Sequence, residues 1–470
     1  MTDRELLRIT TFGELKRAGV EVMPVRMELR KNVLARLKQG RSILPGIVGY
    51  DETVVPEIEN ALLAGHHMIF LGERGQAKSR IIRLLAELLD EFVPVVKGCE
   101  INDHPWAPIC PTCRRRLANL GDRLEVAWLS RADRFTEKLA TPDVSIGDLI
   151  GEIDPVKVAE GRYLADQETM HYGLIPRTNR GIFAINELPD LTEKVQVGLF
   201  NLMEERDVQI KGYKVRLPLD LVFVASANPE DYTSRGRIIT PLKDRFDVQI
   251  RTHYPRRLED EIAIMEQECA YPAALDRALK LPRFIKELLA QITFEARGSG
   301  EINQSSGVSV RVTINNCEAV IGNAEKRAVI NGESEVVPRL CDFHALYAST
   351  AGKLELEYTG DDRRGEELLG RLLDRAVQKV FDRHFKLDEL KPVVAYFENG
   401  QAVEVSDRTA ARECLERLSA VTGLSEAVAR LERDESPGVC AAGAELLLEG
   451  LYLHHKLRKE QRGGRLAYHG

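Results

Sequence analysis

The octapeptide GERGQAKS at residues 72–79 decides the fold of this chain. It follows the short apolar run HHMIFL (66–71) and precedes RIIRLLAELLDEF (80–92), in which apolar residues recur at helical spacing. A strand, a glycine-containing loop and a helix in this order open a βαβ unit. We therefore expect an α/β fold built on a parallel sheet.

The same octapeptide has the spacing of a phosphate-binding loop, with Ala77 in place of the usual glycine. In such a loop, backbone N–H groups converge on phosphate oxygens, a lysine reaches the β- and γ-phosphates, and a hydroxyl binds Mg²⁺. We expect Ala77 to be tolerated if its φ is negative. The alternative is a chance glycine turn between a strand and a helix. The predicted nucleotide-binding residues are Gly72, Glu73, Arg74, Gly75, Gln76, Ala77, Lys78 and Ser79.

A second polar strand end follows the apolar segment GIFAIN (181–186). Acidic residues at such a position normally hold the Mg²⁺ shell and polarise the attacking water. Here the first position is Asn186, whose amide oxygen can accept a hydrogen bond from a metal-bound water but carries no charge. Glu187 is the candidate general base. The alternative is an ordinary exposed glutamate at a strand end.

Two further polar residues follow in the order that such a site needs. Asn228 ends the apolar segment LVFVASAN (221–228), where an amide can orient water between Glu187 and a γ-phosphate. Arg245 lies in LKDRF (242–246) and is suited to reach the nucleotide of a neighbouring subunit. Each observation is weak alone, because arginines at helix ends are usually solvated. Their order and separation make the set strong.

Short apolar segments mark the extent of the α/β core. VPVVKG (93–98), GIFAIN and LVFVASAN predict buried parallel strands, and DVQIKGYKVRLP (207–218) predicts a β-hairpin. A helix is expected over 53–64, ending at Gly65, and the pattern after Pro255 is mostly helical, including 336–350 and 408–432. The predicted divisions are an N-terminal helical segment (1–40), an α/β core (41–255) with a cysteine-containing insertion at about 98–140, an α-helical lid (256–352) and a C-terminal helical extension (353–470).

The region 41–350 resembles an AAA+ ATPase of the MoxR and magnesium-chelatase I-subunit group. The segments that carry the resemblance occur in the order of that family. They are PGIVGY (45–50), LGERGQAKS (71–79), DLIGEID (148–154), GLIPRTNRGIFAINELPDL (173–191), LFNLMEERDVQIKGYKVRLP (199–218), VASANPE (224–230), LKDRF (242–246) and GVSVR (307–311). The implied fold is a P-loop AAA+ core with an α-helical lid.

The resemblance also implies roles for single residues. Lys78 and Ser79 would bind phosphate and Mg²⁺, and Glu187 would activate water. Asn228 would act as sensor 1, Arg245 as the arginine finger in trans and Arg311 as sensor 2 of the lid. Residues 155–176 resemble the insertion in helix 2, and 207–217 resemble the hairpin that follows it. Asn186 departs from the usual aspartate of the family, which bears on metal affinity and on turnover.

The family further implies a homo-oligomeric ring, expected to be a hexamer, and a partner with a von Willebrand A-type domain. Two functions are possible within this family: a MoxR-like remodelling chaperone, and the motor subunit of a magnesium chelatase that inserts Mg²⁺ into protoporphyrin IX. The additional C-terminal helices favour the remodeller. A DNA-directed AAA+ regulator is a third reading, against which the acidic charge counts. A fourth possible function is a scaffold that binds ATP but hardly hydrolyses it, which is compatible with Asn186 in place of an acidic residue.

Three of the eight cysteines cluster within residues 99–113. Cys110-Pro-Thr-Cys113 is a two-residue knuckle, in which both thiolates can face one tetrahedral ion. Cys99 and His104 would complete a structural Zn²⁺ site, with Asp103 competing with His104 as the fourth ligand. A redox pair and ordinary thiols are the alternatives. A catalytic zinc is not expected, because no second histidine lies nearby.

Composition excludes several classes of protein. Sixty-six Lys and Arg residues against 73 Asp and Glu residues give a net charge of −7, which argues against a protein that coats nucleic acid. No apolar run approaches the ~20 residues of a membrane span. The N-terminus MTDRELLRITTFGELKR lacks the apolar core of a signal peptide, so a cytoplasmic location is expected. Eight cysteines in 470 residues do not form a disulfide scaffold.

Overall fold

The described part of the chain forms two compact units, Met1–His253 and Tyr254–Gly470. In this computed structural model, the described residues are 3–153, 170–204, 207–210, 213–216, 218–228, 237–271, 277–303, 307–354, 362–462 and 465–470. Within them, no helix combines the length and the apolar character that crossing a membrane requires. The predicted helix-2 insertion (155–176) lies largely outside the described residues, which leave out 154–169.

The first unit is built on a five-stranded parallel sheet in the order β11-β1-β10-β7-β4. The other six strands pair two by two and antiparallel. In chain order the strands are β1 (Met68–Leu71), β2 (Phe92–Val96), β3 (Val126–Ser130), β4 (Phe135–Leu139), β5 (Gly151–Ile153), β6 (Met170–Tyr172), β7 (Gly181–Asn186), β8 (Asp207–Ile210), β9 (Tyr213–Arg216), β10 (Leu221–Ala227) and β11 (Val248–Arg251).

Helices cover the sheet and connect its strands. The α-helices of this unit are Asp3–Leu6, Phe12–Arg17, Val25–Lys38, Val54–Ala64, Lys78–Ala86, Pro111–Leu120, Ile146–Leu149, Leu174–Arg177, Glu193–Glu204 and Thr240–Asp244. Among the described residues of this unit, short 3₁₀ helices lie at Gly121–Arg123, Ala132–Arg134 and Leu188–Asp190. The helix predicted over 53–64 is confirmed, and it ends at Gly65 in the left-handed conformation (φ 71°).

The central strands are apolar on both faces because two separate cores cover the sheet. In β7, Phe183 and Ile185 belong to one core, and Ile182 and Ala184 to the other. The same alternation holds along β10 and β1. Successive side chains of a strand point to opposite faces, so a sheet covered on both sides needs continuous apolar runs. This confirms the predicted parallel α/β core.

The prediction for residues 93–98 was wrong in one respect. They do form a buried strand, β2, but it pairs antiparallel with β3 outside the central sheet. The fifth position of the parallel sheet belongs to β4, whose sequence FTEKL has no apolar run. As an edge strand, β4 is only partly covered, so its polar residues are compatible with pairing to β7. The predicted hairpin is confirmed by the pairing of β8 with β9.

The N-terminal residues pack on the first unit. Val25, Leu29 and Val33 of the helix Val25–Lys38 are buried in the core that holds β1. Glu28 on the same helix forms a buried ion pair with Arg134, and both guanidinium NH groups donate to its carboxylate. A buried pair of this kind is costly to break from one side, because the remaining charge stays buried.

The second unit is mostly helical. Its α-helices are Leu258–Glu268, Arg283–Arg297, Val310–Ile330, Leu346–Thr350, Asp362–His384, Lys391–Glu398, Ala411–Leu418, Leu424–Ala429 and Pro437–Leu453, with 3₁₀ turns at Leu340–Ala345, Ala351–Lys353 and Leu387–Leu390. Its strands are β12 (Ala278–Leu279), β13 (Glu335–Val336), β14 (Ala402–Val405), β15 (Arg458–Arg462) and β16 (Arg465–His469).

Three details of this unit differ from the sequence-based expectation. The helix predicted over 408–432 is two helices, separated at Gly423, whose φ is 81°. Residues 336–350 contain a 3₁₀ turn and one short helix instead of a single helix, since Pro338 follows β13. The helical C-terminal part also includes an antiparallel sheet in the order β14-β16-β15, whose charged strand β15 has no strand-like apolar pattern.

Candidate functional site

Polar residues follow three neighbouring strands of the parallel sheet. The loop 72–79 follows β1, Asn186 ends β7 and Glu187 follows it, and Asn228 follows β10. Because β1, β10 and β7 are adjacent and parallel, their carboxyl ends lie at one edge of the sheet. Ligands of open α/β sheets bind at this edge.

Lys78 occupies the centre of this group and is buried. Its Nζ donates hydrogen bonds to the backbone oxygen of Gly72, to the backbone oxygen of Glu73 at 2.8 Å and to Oδ1 of Asn228 at 2.6 Å. All three acceptors are neutral oxygens. The ammonium is thus held at the mouth of the loop, where a phosphate oxygen could replace one of these weaker partners.

Asn228 connects Lys78 with Glu187. While its Oδ1 accepts from Lys78, its Nδ2 donates to Oε2 of Glu187 at 2.9 Å. The amide is buried, so both of its polar ends need such partners. The side chains predicted to bind phosphate, to orient water and to act as base therefore form one continuous hydrogen-bonded chain.

Glu187 has an unusual backbone conformation. Its φ and ψ are 55° and 47°, in the left-handed region that residues with a side chain seldom adopt. Its N–H donates to Oγ of Ser226 at 3.3 Å. Strain of about 1–2 kcal/mol is typical of this conformation and is concentrated at functional sites. The turn directs the carboxylate toward Asn228.

Asn186 is held by two neighbours that the sequence analysis did not assign. Its Oδ1 accepts a hydrogen bond from Oγ of Ser226 at 3.1 Å, and its Nδ2 donates to Oε1 of Glu137. Glu137 on β4 also forms an ion pair with Arg83, with a distance of 2.7 Å between Oε2 and Nε. A carboxylate is thus present beside Asn186, on the next strand, although residue 186 itself is uncharged.

The loop backbone leaves no room for side chains at its first position. A Cβ added to Gly72 would lie 1.9 Å from Oγ1 of Thr252 and 2.2 Å from Oε1 of Gln76. Gly75 has a φ of 75°. The expectation for Ala77 was wrong: its φ is 59°, and it sits in the left-handed region immediately before the helix Lys78–Ala86. The usual glycine is absent, but the glycine-type backbone is retained.

Gln76, Thr252 and Tyr50 hold the loop in place, and of these the sequence analysis assigned a role only to Gln76. Oε1 of Gln76 accepts from the N–H of Glu73 at 3.1 Å and from Oγ1 of Thr252 at 2.7 Å. The Tyr50 hydroxyl lies 3.0 Å from the backbone oxygen of Gln76 and 2.7 Å from the backbone oxygen of His253. Burial raises the pKa of Tyr50 to about 12. Tyr50 ends the family segment PGIVGY, which was the one available signal for its importance.

A cavity of about 360 Å³ lies beside the loop. Its lining includes Gly72, Glu73, Gln76 and Thr252, together with the cationic residues Lys243 and Arg251. A glycine-shaped loop, a buried ammonium and the N-terminus of a helix are an arrangement that binds phosphate anions. The residues present fit such a ligand, and the hydroxyl of Ser79 stands at the second position of the helix, where a cation shared with phosphate would bind.

The two predicted arginines belong to different units, Arg245 to the first and Arg311 to the second. The Arg245 side chain, 37% exposed, pairs with Glu204 (2.6 Å between Nε and Oε2) and lies over the ring of Phe200. Arg311 is exposed and lies at the start of the helix Val310–Ile330 in the second unit, where its N–H donates to Oγ of Ser309.

The cysteine insertion brings together a different set of four ligands from the one first expected. Cys99, Asp103, Cys110 and Cys113 have potential ligand atoms that all lie within 4.8 Å of one another. His104 is not in this group: its Nδ1 accepts from the N–H of Trp106 at 3.1 Å, and its ring packs against Trp106. Burial raises the pKa of Asp103 to about 7 and lowers that of His104 to about 4.

No model of a known protein family matches the chain. Several curated proteins do match the chain in sequence. The magnesium-chelatase 38 kDa subunit of Cereibacter sphaeroides is 26% identical over 215 residues, which are 44% of this chain and 58% of that protein. The subunit of the same name from Acidiphilium rubrum is 29% identical, over 43% of this chain and 56% of the relative. The chain thus spans little more than half the length of these two proteins.

A longer match is found to the chloroplastic magnesium-chelatase subunit ChlI of Chlamydomonas reinhardtii, 28% identical over 66% of this chain and 77% of that protein. Among solved structures, the BchI and BchD complex of magnesium chelatase matches with a TM-score of 0.35 and 19% identity, over 70% of this chain. NtrX from Brucella abortus in complex with ATP matches with a TM-score of 0.41 and 15% identity, over 74% of this chain and 67% of that one.

Replacing Ala77 by glycine should stabilise the protein. The left-handed conformation costs an alanine roughly 1–2 kcal/mol. Glycine avoids this cost but loses more conformational entropy on folding, which cancels about 0.5–1 kcal/mol of the gain. We expect a gain of up to ~1 kcal/mol and a rise of about 1–3 °C in the melting temperature, measured by calorimetry. Ala86→Gly, at the end of the same helix, is the matched control and should lower the melting temperature. Equal losses in both variants would contradict the account.

In the absence of nucleotide and metal, Asn186→Asp should lower the free energy of unfolding. The change removes the hydrogen bond from Nδ2 to Glu137 and sets two carboxylates against each other, at a cost of ~1–3 kcal/mol. Glu137→Gln in the same chain should restore most of the loss, because its amide can donate to the new carboxylate. Urea unfolding of the single and double variants measures this coupling. Additive effects within about 0.3 kcal/mol would show that the two side chains do not interact.

Proposed function

We propose that this chain is an ATP-hydrolysing motor of the AAA+ type, since magnesium-chelatase subunits are among its curated relatives. One observation carries the proposal: Lys78, Asn228 and Glu187, which follow three different strands, form a single hydrogen-bonded network. Such a network joins the group that binds phosphate to the group that can take a proton from water.

In this proposal the chain's own residues divide the work of phosphoryl transfer. The loop amides and Lys78 would bind the β- and γ-phosphates, and Ser79 would hold Mg²⁺, whose charge would neutralise part of the phosphate charge. Glu187 takes a proton from the attacking water, and Asn228 keeps the carboxylate in position. Glu137 supplies, next to Asn186, the negative charge that an aspartate would provide to the water shell of the cation.

We further propose that the motor is a ring, expected to be a hexamer, in which Arg245 acts on the nucleotide of the neighbouring subunit. Its side chain is partly exposed, and its contact with Glu204 is a single ion pair that a phosphate oxygen could replace. Arg311 is proposed as the lid's own sensor of the nucleotide. A guanidinium supplied in trans would couple hydrolysis to movement between subunits.

The work done by this motor is proposed to be remodelling of a partner protein, including the loading of a metal or cofactor. A partner with a von Willebrand A-type domain is part of that proposal. The second candidate is the motor of a magnesium chelatase, which the names of the curated relatives favour. Formation of Mg-protoporphyrin IX that depends on this chain and on added partner subunits would decide for the chelatase.

The proposed cofactors are ATP and Mg²⁺ at the phosphate loop and Zn²⁺ at the cysteine cluster, where it would support the fold and take no part in hydrolysis. The proposed location is the cytoplasm. All eight cysteines are free thiols in the structure, which suits a reducing compartment.

Two substitutions should separate binding from hydrolysis. Lys78→Ala removes the buried ammonium and should weaken ATP binding at least ~100-fold. Glu187→Gln keeps an acceptor for Asn228 but no base, so ATP affinity should stay within about threefold while turnover falls ~10²–10⁴-fold. Nucleotide titration and phosphate release under saturating ATP measure the two quantities.

The matched control is Glu193→Gln, which changes an exposed glutamate in the next helix and should leave both quantities unchanged. The assignment of Glu187 would be wrong if Glu187→Gln turned ATP over at the wild-type rate.

A further inference from the structure

We propose that Cys99, Asp103, Cys110 and Cys113 form a Zn²⁺ site that fastens the insertion to the first unit. The inference extends the proposed function without depending on ATP hydrolysis. It names the fourth ligand as a carboxylate and gives the ion a structural task.

The spacing of the four groups suits one tetrahedral ion. Their potential ligand atoms lie within 4.8 Å of one another, and Zn–S bonds of ≈ 2.3 Å place two thiolates on one ion about 3.8 Å apart. Small side-chain adjustments therefore suffice to close the site. Asp103 and Cys113 are almost fully buried, and Cys110 is 8% exposed. Cys99 is partly exposed, so three of the four groups are buried. Four protein ligands that complete the coordination sphere are typical of structural zinc.

The knuckle is already folded for metal binding. Sγ of Cys110 accepts a hydrogen bond from the N–H of Cys113 at 3.3 Å, at the start of the helix Pro111–Leu120. The turn CPTC thus places the sulfur atoms of Cys110 and Cys113 close together, as two ligands of one ion require.

Asp103 is positioned by the same turn. Its Oδ1 accepts from the N–H of Ile109 at 2.8 Å and its Oδ2 from the N–H of Cys110 at 2.9 Å. Each carboxylate oxygen retains a further lone pair for a metal. Backbone contacts that orient a ligand in this way are a regular feature of metal sites. His104, turned toward Trp106, has no comparable position.

The donor set selects the ion. Three thiolates favour zinc, copper(I) or iron over the hard cations Mg²⁺ and Ca²⁺, and a fourth oxygen ligand with tetrahedral spacing is compatible with Zn²⁺. A disulfide would use two of the three thiols and leave the third beside a buried carboxylate. A divalent cation satisfies all four groups together.

The site is linked to the rest of the first unit at several points. The Asp103 backbone oxygen accepts from the N–H of Val96 on β2, and the Ile101 oxygen accepts from Nδ2 of Asn179, two residues before β7. Trp106 packs edge-on against Phe12 of the N-terminal segment, with 5.1 Å between the ring centroids. An ion at this place would hold the N-terminal segment and the start of β7 together.

Metal analysis of the full-length protein, purified without added metal or chelator, tests the proposal. We expect about one equivalent of zinc per chain, lost in the double variant Cys110→Ser/Cys113→Ser. Replacement of zinc by Co²⁺ should give the absorption of a tetrahedral thiolate site. Asp103→Asn should weaken zinc binding at least ~10-fold in competition with a chromogenic chelator. Cys269→Ser/Cys317→Ser, which changes the close thiol pair of the second unit, should retain the metal.

His104→Gln distinguishes the two possible fourth ligands and should keep the wild-type affinity for zinc. Loss of zinc in His104→Gln together with retention in Asp103→Asn would overturn the ligand set. Wild-type protein that binds neither zinc nor Co²⁺ stoichiometrically would overturn the site itself. ATP turnover by metal-free protein would leave the motor proposal standing, so the two proposals can fail separately.

Discussion

The buried ammonium of Lys78 is the interaction on which the arrangement of the first unit depends. A charge with little access to solvent must be surrounded by oxygens, and here two loop carbonyls and the Asn228 amide supply them. This requirement brings the end of β10 against the loop that follows β1. Because Asn228 also donates to Glu187, the end of β7 is included. One desolvated charge thus organises three strand ends.

The sheet makes this organisation possible and also strains it. Continuous apolar strands, buried on both faces, fix the register in which the three carboxyl ends coincide. The connecting residues must then turn sharply, and Ala77 and Glu187 do so with left-handed backbones that neither side chain favours. Burial of apolar side chains on both faces of the sheet offsets such local costs.

Sequence reasoning succeeded where one physical rule dominates. Doubly buried strands must be apolar, so β1, β7 and β10 were predictable, as were the polar residues at their ends. The edge strand β4 was not predicted, because a partly exposed strand can contain polar residues and its sequence FTEKL shows no apolar run. Glu137, which lies on this strand, was therefore not recognised as part of the site. The identity of the fourth candidate ligand in the cysteine cluster could not be predicted from residue spacing alone. It depends on the fold of one turn, in which the N–H groups of Ile109 and Cys110 hold Asp103 in place.

Asn228→Ala offers the most direct test of the central claim, which is that Asn228 couples the phosphate-binding lysine to the base. ATP affinity and turnover at saturating ATP would be measured on the same preparation. If the network works as described, affinity changes by less than about tenfold, whereas turnover falls ~10²-fold or more, since one preorganised contact of the transition state is lost. Turnover at the wild-type rate would contradict the account.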